Sequence, residues 1–197
     1  TKTKSPESDF SSWQVKGGDH GSRNYSSLNQ INTVNVTNLK PAWIYHSGGA
    51  DTAGRTQIQC SPIIIDSIIY ATTPGLELIA LHGATGKELW RSKPSGKNRE
   101  GLGVNRGVMY WTNGIQKRIF LPYTHRLFSY DAMTGAPVLD FGENGSIDMH
   151  DGLGDDADSL MLTANTPGVI YKDMIIIGSR VSEGPDAAPG YIRSYNV

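Results

Sequence analysis

Ile63-Ile-Ile-Asp-Ser-Ile-Ile-Tyr-Ala71, followed by Leu78-Ile-Ala-Leu81, Ala84-Thr-Gly-Lys87 and Glu88-Leu-Trp90, is the stretch whose reading decides the fold. Two β-branched runs separated by the pair Asp66-Ser67 form a hairpin pattern, since short polar residues suit a two-residue turn. A third run follows. Thr85-Gly86 then supplies a tight turn in which glycine is free to take positive φ, and a fourth run ends on Trp90. Four short strands are therefore expected within about 30 residues.

Working outward, the same order returns. Gly107-Val-Met-Tyr-Trp111, a turn at Thr112-Asn-Gly114, Arg118-Ile-Phe-Leu121, Leu127-Phe-Ser-Tyr130 and Asp131-Ala-Met-Thr-Gly135 make a second pass, with an outer strand expected after the Thr-Gly step. Thr85 and Thr134 stand about 49 residues apart. A third pass runs through Thr166-Pro-Gly-Val-Ile-Tyr171, a turn at Lys172-Asp173, Met174-Ile-Ile-Ile-Gly178 and, after a longer loop, Tyr191-Ile-Arg-Ser-Tyr195. A four-stranded unit at this period is the pattern of a β-propeller, so the expected class is all-β, with four-stranded antiparallel blades. Trp90, and Trp43 in a similar setting, are read as structural rings packed between neighbouring blades.

The 23 glycines and 10 prolines make about 17% of the 197 residues, against roughly 12% in average usage. That excess is turn chemistry. A hydrophobic fraction of 38% excludes a disordered chain, and a net charge of −1 argues against a nucleic-acid partner. No apolar run reaches the roughly 20 residues of a membrane-spanning helix. The single cysteine, Cys60, excludes an internal disulfide and a cysteine-built zinc site. The five histidines lack HxxxH or HExxH spacing and are read as surface or packing residues.

Residues 1–12 are polar, show no signal peptide and read as a flexible tail; residues 13–197 read as a partial propeller. Val34 to Leu39 suit one helical turn, and Ala42-Trp-Ile-Tyr-His46 is strand-like, ended by Gly48-Gly49. Propellers close with about 4 to 8 blades, and this chain holds about three. It is therefore expected to be a fragment, or to be completed by other chains or by self-association.

The ordered motifs resemble the N-terminal part of quinoprotein dehydrogenases, whose propellers bind pyrroloquinoline quinone (PQQ). The resemblance runs from Trp13 to Val197. It is carried by Arg23-Asn-Tyr-Ser-Ser-Leu-Asn-Gln-Ile-Asn32 with Leu39-Lys-Pro-Ala-Trp43, Ala84-Thr-Gly-Lys-Glu-Leu-Trp90, Val104-Asn-Arg-Gly-Val-Met-Tyr-Trp111 and Arg126-Leu-Phe-Ser-Tyr-Asp-Ala-Met-Thr-Gly135. Gly178-Ser-Arg-Val-Ser-Glu-Gly184 and Ala188-Pro-Gly-Tyr-Ile-Arg193 resemble the glucose dehydrogenase-type branch. What this implies is an eight-bladed propeller, usually periplasmic and in some relatives membrane-associated. It would oxidise sugars or alcohols and pass electrons to a quinone or a cytochrome.

Such a cofactor is a flat tricarboxylated ortho-quinone. It needs cations for its carboxylates, planar groups above and below, and Ca²⁺ or Mg²⁺ to polarise the quinone carbonyl. By the resemblance, Arg106 within Asn105-Arg-Gly107 lies against the cofactor; a guanidinium can pair with a carboxylate and donate to a quinone oxygen. Asn105 joins it as a cofactor-site residue. Gln59 matches a position where relatives carry a glutamate touching the cofactor. Thr163, Asn165 and Thr166 resemble a cofactor-contacting stretch, although short polar groups there equally cap a turn. Glu183 matches a calcium-ligating glutamate, a hard oxygen donor. The loop after it is longer than in the relatives that use it, and a solvated loop residue is the other reading.

Two departures stand out. Leu102-Gly-Val104 occupies the place where relatives carry adjacent cysteines or a histidine. The family's catalytic aspartate and its basic partner are expected beyond residue 197, so no catalytic residue is assigned. Asp140, Asp148, Asp151, Asp155, Asp156 and Asp158 are read as solvated turn acids. The competing function is a non-catalytic propeller scaffold for protein interaction, which the Trp-bearing repeats fit equally well; Asn105-Arg-Gly107 is expected only in the enzyme.

Overall fold

The computed structural model describes residues 11–51, 53–94, 103–154, 156–185 and 187–197. The first blade is β1 (Ile63–Ile65), β2 (Ile68–Thr72), β3 (Leu78–His82) and β4 (Glu88–Ser92), an antiparallel meander in that order. Ile65 pairs with Ile68 across the Asp66-Ser67 turn. Both turn residues sit at positive φ, 49° and 68°. This is the left-handed turn whose twist matches that of the strands, occupied here without glycine because Asp and Ser carry short polar side chains.

The second blade is β5 (Met109–Thr112), β6 (Lys117–Tyr123), β7 (Arg126–Asp131) and β8 (Ser146–Asp148). Here the expected outer strand moves. After Thr134-Gly135 the chain makes only a single bridge, Tyr130 to Pro137, and β8 forms further on. Asp131 N donates to the Ala136 carbonyl at 2.8 Å and Val138 N to the Ser129 carbonyl at 3.0 Å, and a turn closed by Phe141 N on the Val138 carbonyl then ends the pairing. A short β9 (Leu162–Thr163) then precedes the third sheet, β10 (Val169–Tyr171), β11 (Met174–Ile177) and β13 (Arg193–Asn196). Inside its long loop, β12 (Arg180–Val181) pairs back to β9.

The strand expected over residues 42–46 is absent. A strand requires a ladder partner, and none of the described residues pairs with this segment. Side-chain bonds hold it instead: the Tyr45 hydroxyl donates to Glu88, and Arg91 Nη2 donates to the Ser47 carbonyl at 3.1 Å. The helical turn appears as a short 3-10 turn, Val36–Asn38. Most of the expected tail, residues 1–10, lies outside the described residues.

Burial follows the stacking of blades. Ile63, Ile65, Tyr70 and Leu78 pack with Ile119, Leu121 and Tyr130 between the first and second blades. Met109, Phe120 and Leu127 pack with Ile175 and Ile177 between the second and third. Because alternate residues of a strand face opposite sides, β6 sends Ile119 and Leu121 one way and Phe120 the other, and all three are fully buried. β11 is covered on one face only: Ile175 and Ile177 are buried, while Met174 and Ile176 are exposed.

The blades are locked by indole rings. Trp43 Nε1 donates to the Gly83 carbonyl at 2.9 Å, and Trp90 Nε1 donates to the Ala132 carbonyl at 3.1 Å. Each ring lies flat on the glycine of the following Thr-Gly turn, Trp43 on Gly86 and Trp90 on Gly135. The Ala132 carbonyl also accepts the Tyr70 hydroxyl at 3.0 Å. The glycines serve two needs at once, positive φ (68° and 72°) and the absence of a Cβ under the ring.

A β-carbon on Gly135 would lie 2.5 Å from the Trp90 ring, whereas Gly114, also at positive φ, faces open space. Gly135→Ala is expected to destabilise by roughly 2–4 kcal/mol, strain plus overpacking. Gly114→Ala should lose only the strain, about 1–2 kcal/mol. Urea denaturation of the two variants checks the difference.

Candidate functional site

The segments that lead into the first strand of each blade are joined side by side. Ser61 N donates to the Arg106 carbonyl at 3.2 Å, and Arg106 N donates to the Asn165 carbonyl at 2.7 Å. These residues precede β1, β5 and β10, so one chain of backbone hydrogen bonds crosses three blades. Such close approach leaves little room for a side chain at Gly107: at φ 146°, a Cβ there would sit 3.2 Å from Pro167 Cγ and 3.3 Å from the Ser61 carbonyl.

Asn105 anchors this junction. It is buried, its Nδ2 donates to the Pro122 carbonyl at 3.0 Å, and its Oδ1 accepts from Gly107 N at 2.9 Å and from Thr72 Oγ1 at 3.3 Å. Its polar atoms are thus committed to the protein. With residues 105 and 107 held inside, Arg106 is turned outward. Its Nη1 donates to Asn165 Oδ1 at 3.0 Å.

Beside that guanidinium lies a cavity of about 610 Å³, walled by Arg106, Thr163, Asn165, Thr166 and Arg180, with Gly178 in the lining. The pairing of β9 with β12 sets Arg180 directly against Thr163. Two cations, two hydroxyls and an amide converge on a space within the usual range for small-molecule sites. This donor set fits a flat polycarboxylate.

Of the residues singled out in the sequence, Arg106, Thr163, Asn165 and Thr166 come together in this wall. Asn105 stands behind it as a positioning residue. Gln59 and Glu183 are exposed and outside the cavity lining; Gln59 Nε2 donates to Gln57 Oε1 at 2.8 Å, and Glu183 projects from the loop after β12. Leu102 and Asp155 lie outside the described residues. Arg180 was not singled out; the signal was its place in Gly178-Ser-Arg180, but only the β9–β12 pairing shows where it faces.

Asp148 is not a solvated turn acid. It ends β8, half-buried, accepting from Arg126 Nη1 at 3.2 Å and from the His150 backbone at 2.9 Å. The ladder opposes Arg126 to Asp148, and a paired carboxylate is favoured there. Asp140, by contrast, is an exposed turn acid as expected, although it lies 3.2 Å from Arg118.

Near the junction, Cys60 Sγ accepts from Thr72 N at 3.4 Å, and burial pushes the thiol pKa up. A raised thiol pKa reduces thiolate at any pH below it. Alkylation of Cys60 by iodoacetamide at pH 8 is therefore expected to be slower than that of a free cysteine, and to approach it after denaturation. Asn105→Ala leaves the Pro122 carbonyl and the Gly107 amide without their partner and is expected to destabilise by about 1–3 kcal/mol, measured by thermal unfolding.

Stacked antiparallel sheets joined at the entries to their first strands, with a doubly cationic cavity at that junction, identify the chain as part of a β-propeller. Residues 13–197 match the family described as "PQQ: Glucose/ethanol/alcohol dehydrogenase, beta-propeller domain". The chain belongs to this family of PQQ-dependent quinoproteins.

Its relatives include quinoprotein glucose dehydrogenase A of Acinetobacter calcoaceticus, 30% identical over 95% of this chain and 26% of the relative. The quinate/shikimate dehydrogenase (quinone) of Acinetobacter baylyi is 27% identical over 94% of this chain and 26% of its own length. The chain therefore spans about a quarter of the curated relatives it matches. Among solved structures, the quinohemoprotein alcohol dehydrogenase from Comamonas testosteroni superposes with a TM-score of 0.74 at 26% identity, covering 95% of this chain and 26% of that one.

Proposed function

We propose that the protein containing this stretch is a PQQ-dependent dehydrogenase of the glucose type, oxidising a sugar or polyol and delivering electrons to a quinone or cytochrome. The observation that carries this reading is the convergence of Arg106, Thr163, Asn165 and Thr166 on one cavity in a chain whose family is defined by the cofactor. When bound, PQQ supplies the two-electron acceptor for oxidation of a CH–OH donor.

The protein's own contribution in this stretch is to bind and orient. Arg106 and Arg180 offer cations to the cofactor's carboxylates, with a guanidinium also able to donate toward a quinone oxygen. Asn165 holds Arg106 at its amide oxygen, and the two threonines supply neutral hydrogen bonds. Glu183 is the carboxylate that the family resemblance offers to Ca²⁺ or Mg²⁺, from a loop outside the lining of this cavity. Asn105 acts through Arg106, by fixing the backbone that carries it.

The glucose-type reading draws support from relatives named for polyhydroxy substrates. The glycerol dehydrogenase large subunit of Gluconobacter oxydans matches over 93% of this chain at 27% identity. The alcohol dehydrogenase (quinone) subunit of the same species is 41% identical but matches only 64% of the chain. A periplasmic location belongs to the same proposal, as the compartment of a respiratory quinoprotein.

The test loads the full-length protein with PQQ and Ca²⁺ or Mg²⁺ and follows dye reduction with glucose, glycerol, quinate and ethanol. Reduction by a polyhydroxy substrate in preference to ethanol is expected. Preference for ethanol would overturn the substrate class, and no reduction by any of them would favour the scaffold. Arg106→Ala is expected to weaken PQQ binding at least about tenfold, the scale of a lost charge-assisted hydrogen bond, read by fluorescence titration of the apo-protein. Unchanged affinity would remove Arg106 from the cofactor site.

A further inference from the structure

A second group of convergent side chains lies outside the cavity. His125 occupies the turn between β6 and β7, Asp148 ends β8, and His150 begins the loop that follows. His150 Nδ1 is 3.0 Å from Asp148 Oδ1, and His125 Nε2 is 3.6 Å from Asp148 Oδ2. The two imidazole rings face one another with centroids 4.9 Å apart. One donor atom from each of the three residues lies within 4.8 Å of the others.

We propose that His125, Asp148 and His150 form a binding site for a divalent transition-metal ion of the zinc type. Metal–ligand bonds of about 2.0–2.1 Å in tetrahedral geometry place ligand atoms about 3.3 Å apart. The separations of 3.0 Å, to Asp148 Oδ1, and 3.6 Å, to Asp148 Oδ2, lie near that value, so modest side-chain adjustment brings one atom of each residue onto a common ion. Two imidazoles and one carboxylate are a borderline donor set, suited to Zn²⁺ rather than to the hard ions Ca²⁺ and Mg²⁺.

The surroundings are those of a ligand set rather than of a chance pair. Ligating histidines anchor the ring nitrogen remote from the metal, and His150 Nε2 lies 3.2 Å from the Leu160 carbonyl. The carboxylate is braced by Arg126, whose guanidinium also donates to Ser146 Oγ at 2.9 Å. His125 and Asp148 are 34% and 25% exposed, so an ion has a path in from solvent. Asp158 lies near enough to His125 to add negative potential.

The location gives such an ion a structural consequence. It would tie the β6–β7 turn, β8 and the loop over residues 149–160 together. That loop leads into β9, which carries Thr163 of the cavity wall, and Thr124, adjacent to His125, accepts the Ala164 amide at 2.6 Å. The proposal does not depend on the substrate or the redox activity.

The test uses the full-length protein, loaded with PQQ and Ca²⁺ and freed of transition metals. Titration with Co²⁺ is expected to give one equivalent with tetrahedral-type visible absorption, lost on adding Zn²⁺. His125→Gln and Asp148→Asn should each weaken Co²⁺ binding at least about tenfold. A readout without variants is labelling of the unsubstituted protein by diethyl pyrocarbonate, in which Zn²⁺, but not Mg²⁺, should protect His125. Absence of the Co²⁺ absorption, unchanged affinity in both variants, or unchanged labelling of His125 would each overturn the site.

Discussion

The structure depends on a stacking constraint between blades, met by indole rings lying on glycines. A four-stranded sheet of such short strands has two apolar faces and cannot bury both by itself. Trp90, at the edge of one blade, reaches over the next, hydrogen-bonds the Ala132 carbonyl and covers Gly135. Trp43 repeats the arrangement on Gly83 and Gly86. Trp90 joins an edge strand of one blade to a turn of the next, and Trp43 joins the segment ahead of the first blade to a turn of that blade.

The convergence of the first strands produces the cavity. Ser61, Arg106 and Asn165 occupy comparable places ahead of three first strands, and their backbone bonds hold the strand entries together. Asn105 satisfies the buried polar groups around the junction, and its burial forces Arg106 outward. Arg106 is therefore aimed by the residues on either side of it, which explains why the intact Asn-Arg-Gly triplet is informative where a lone arginine is not. Arg180 joins the wall by another route, through a two-stranded pairing inside the long loop between β11 and β13.

Much of the architecture was legible because strand periodicity, turn chemistry and repeat length are local properties. The Asp66-Ser67 hairpin, both Thr-Gly turns and all three first strands fall where the apolar runs place them. Residues 42–46 have the composition of a strand but no ladder partner among the described residues, and composition does not supply one. The outer strand of the second blade is displaced because its pairing with β7 ends after Val138, where a turn closed by Phe141 N on the Val138 carbonyl takes the chain away. Asp148, one of six aspartates in a Gly- and Asp-rich segment, looked like the others until the ladder set it opposite Arg126.

By itself, the sequence determined the class of fold, the approximate blade period and the residue types that could meet a carboxylated cofactor, since each rests on spacing within about 50 residues. Only the tertiary structure decided which of those residues share a space. Arg106, Asn165 and Arg180 are brought together by bonds between blades and within a loop. His125 and His150 meet around Asp148 because antiparallel pairing carries β8 back along β7. The physical reason is the same in both cases: hydrogen-bond register and ring packing act between segments distant in the chain, and local pattern carries no information about that register.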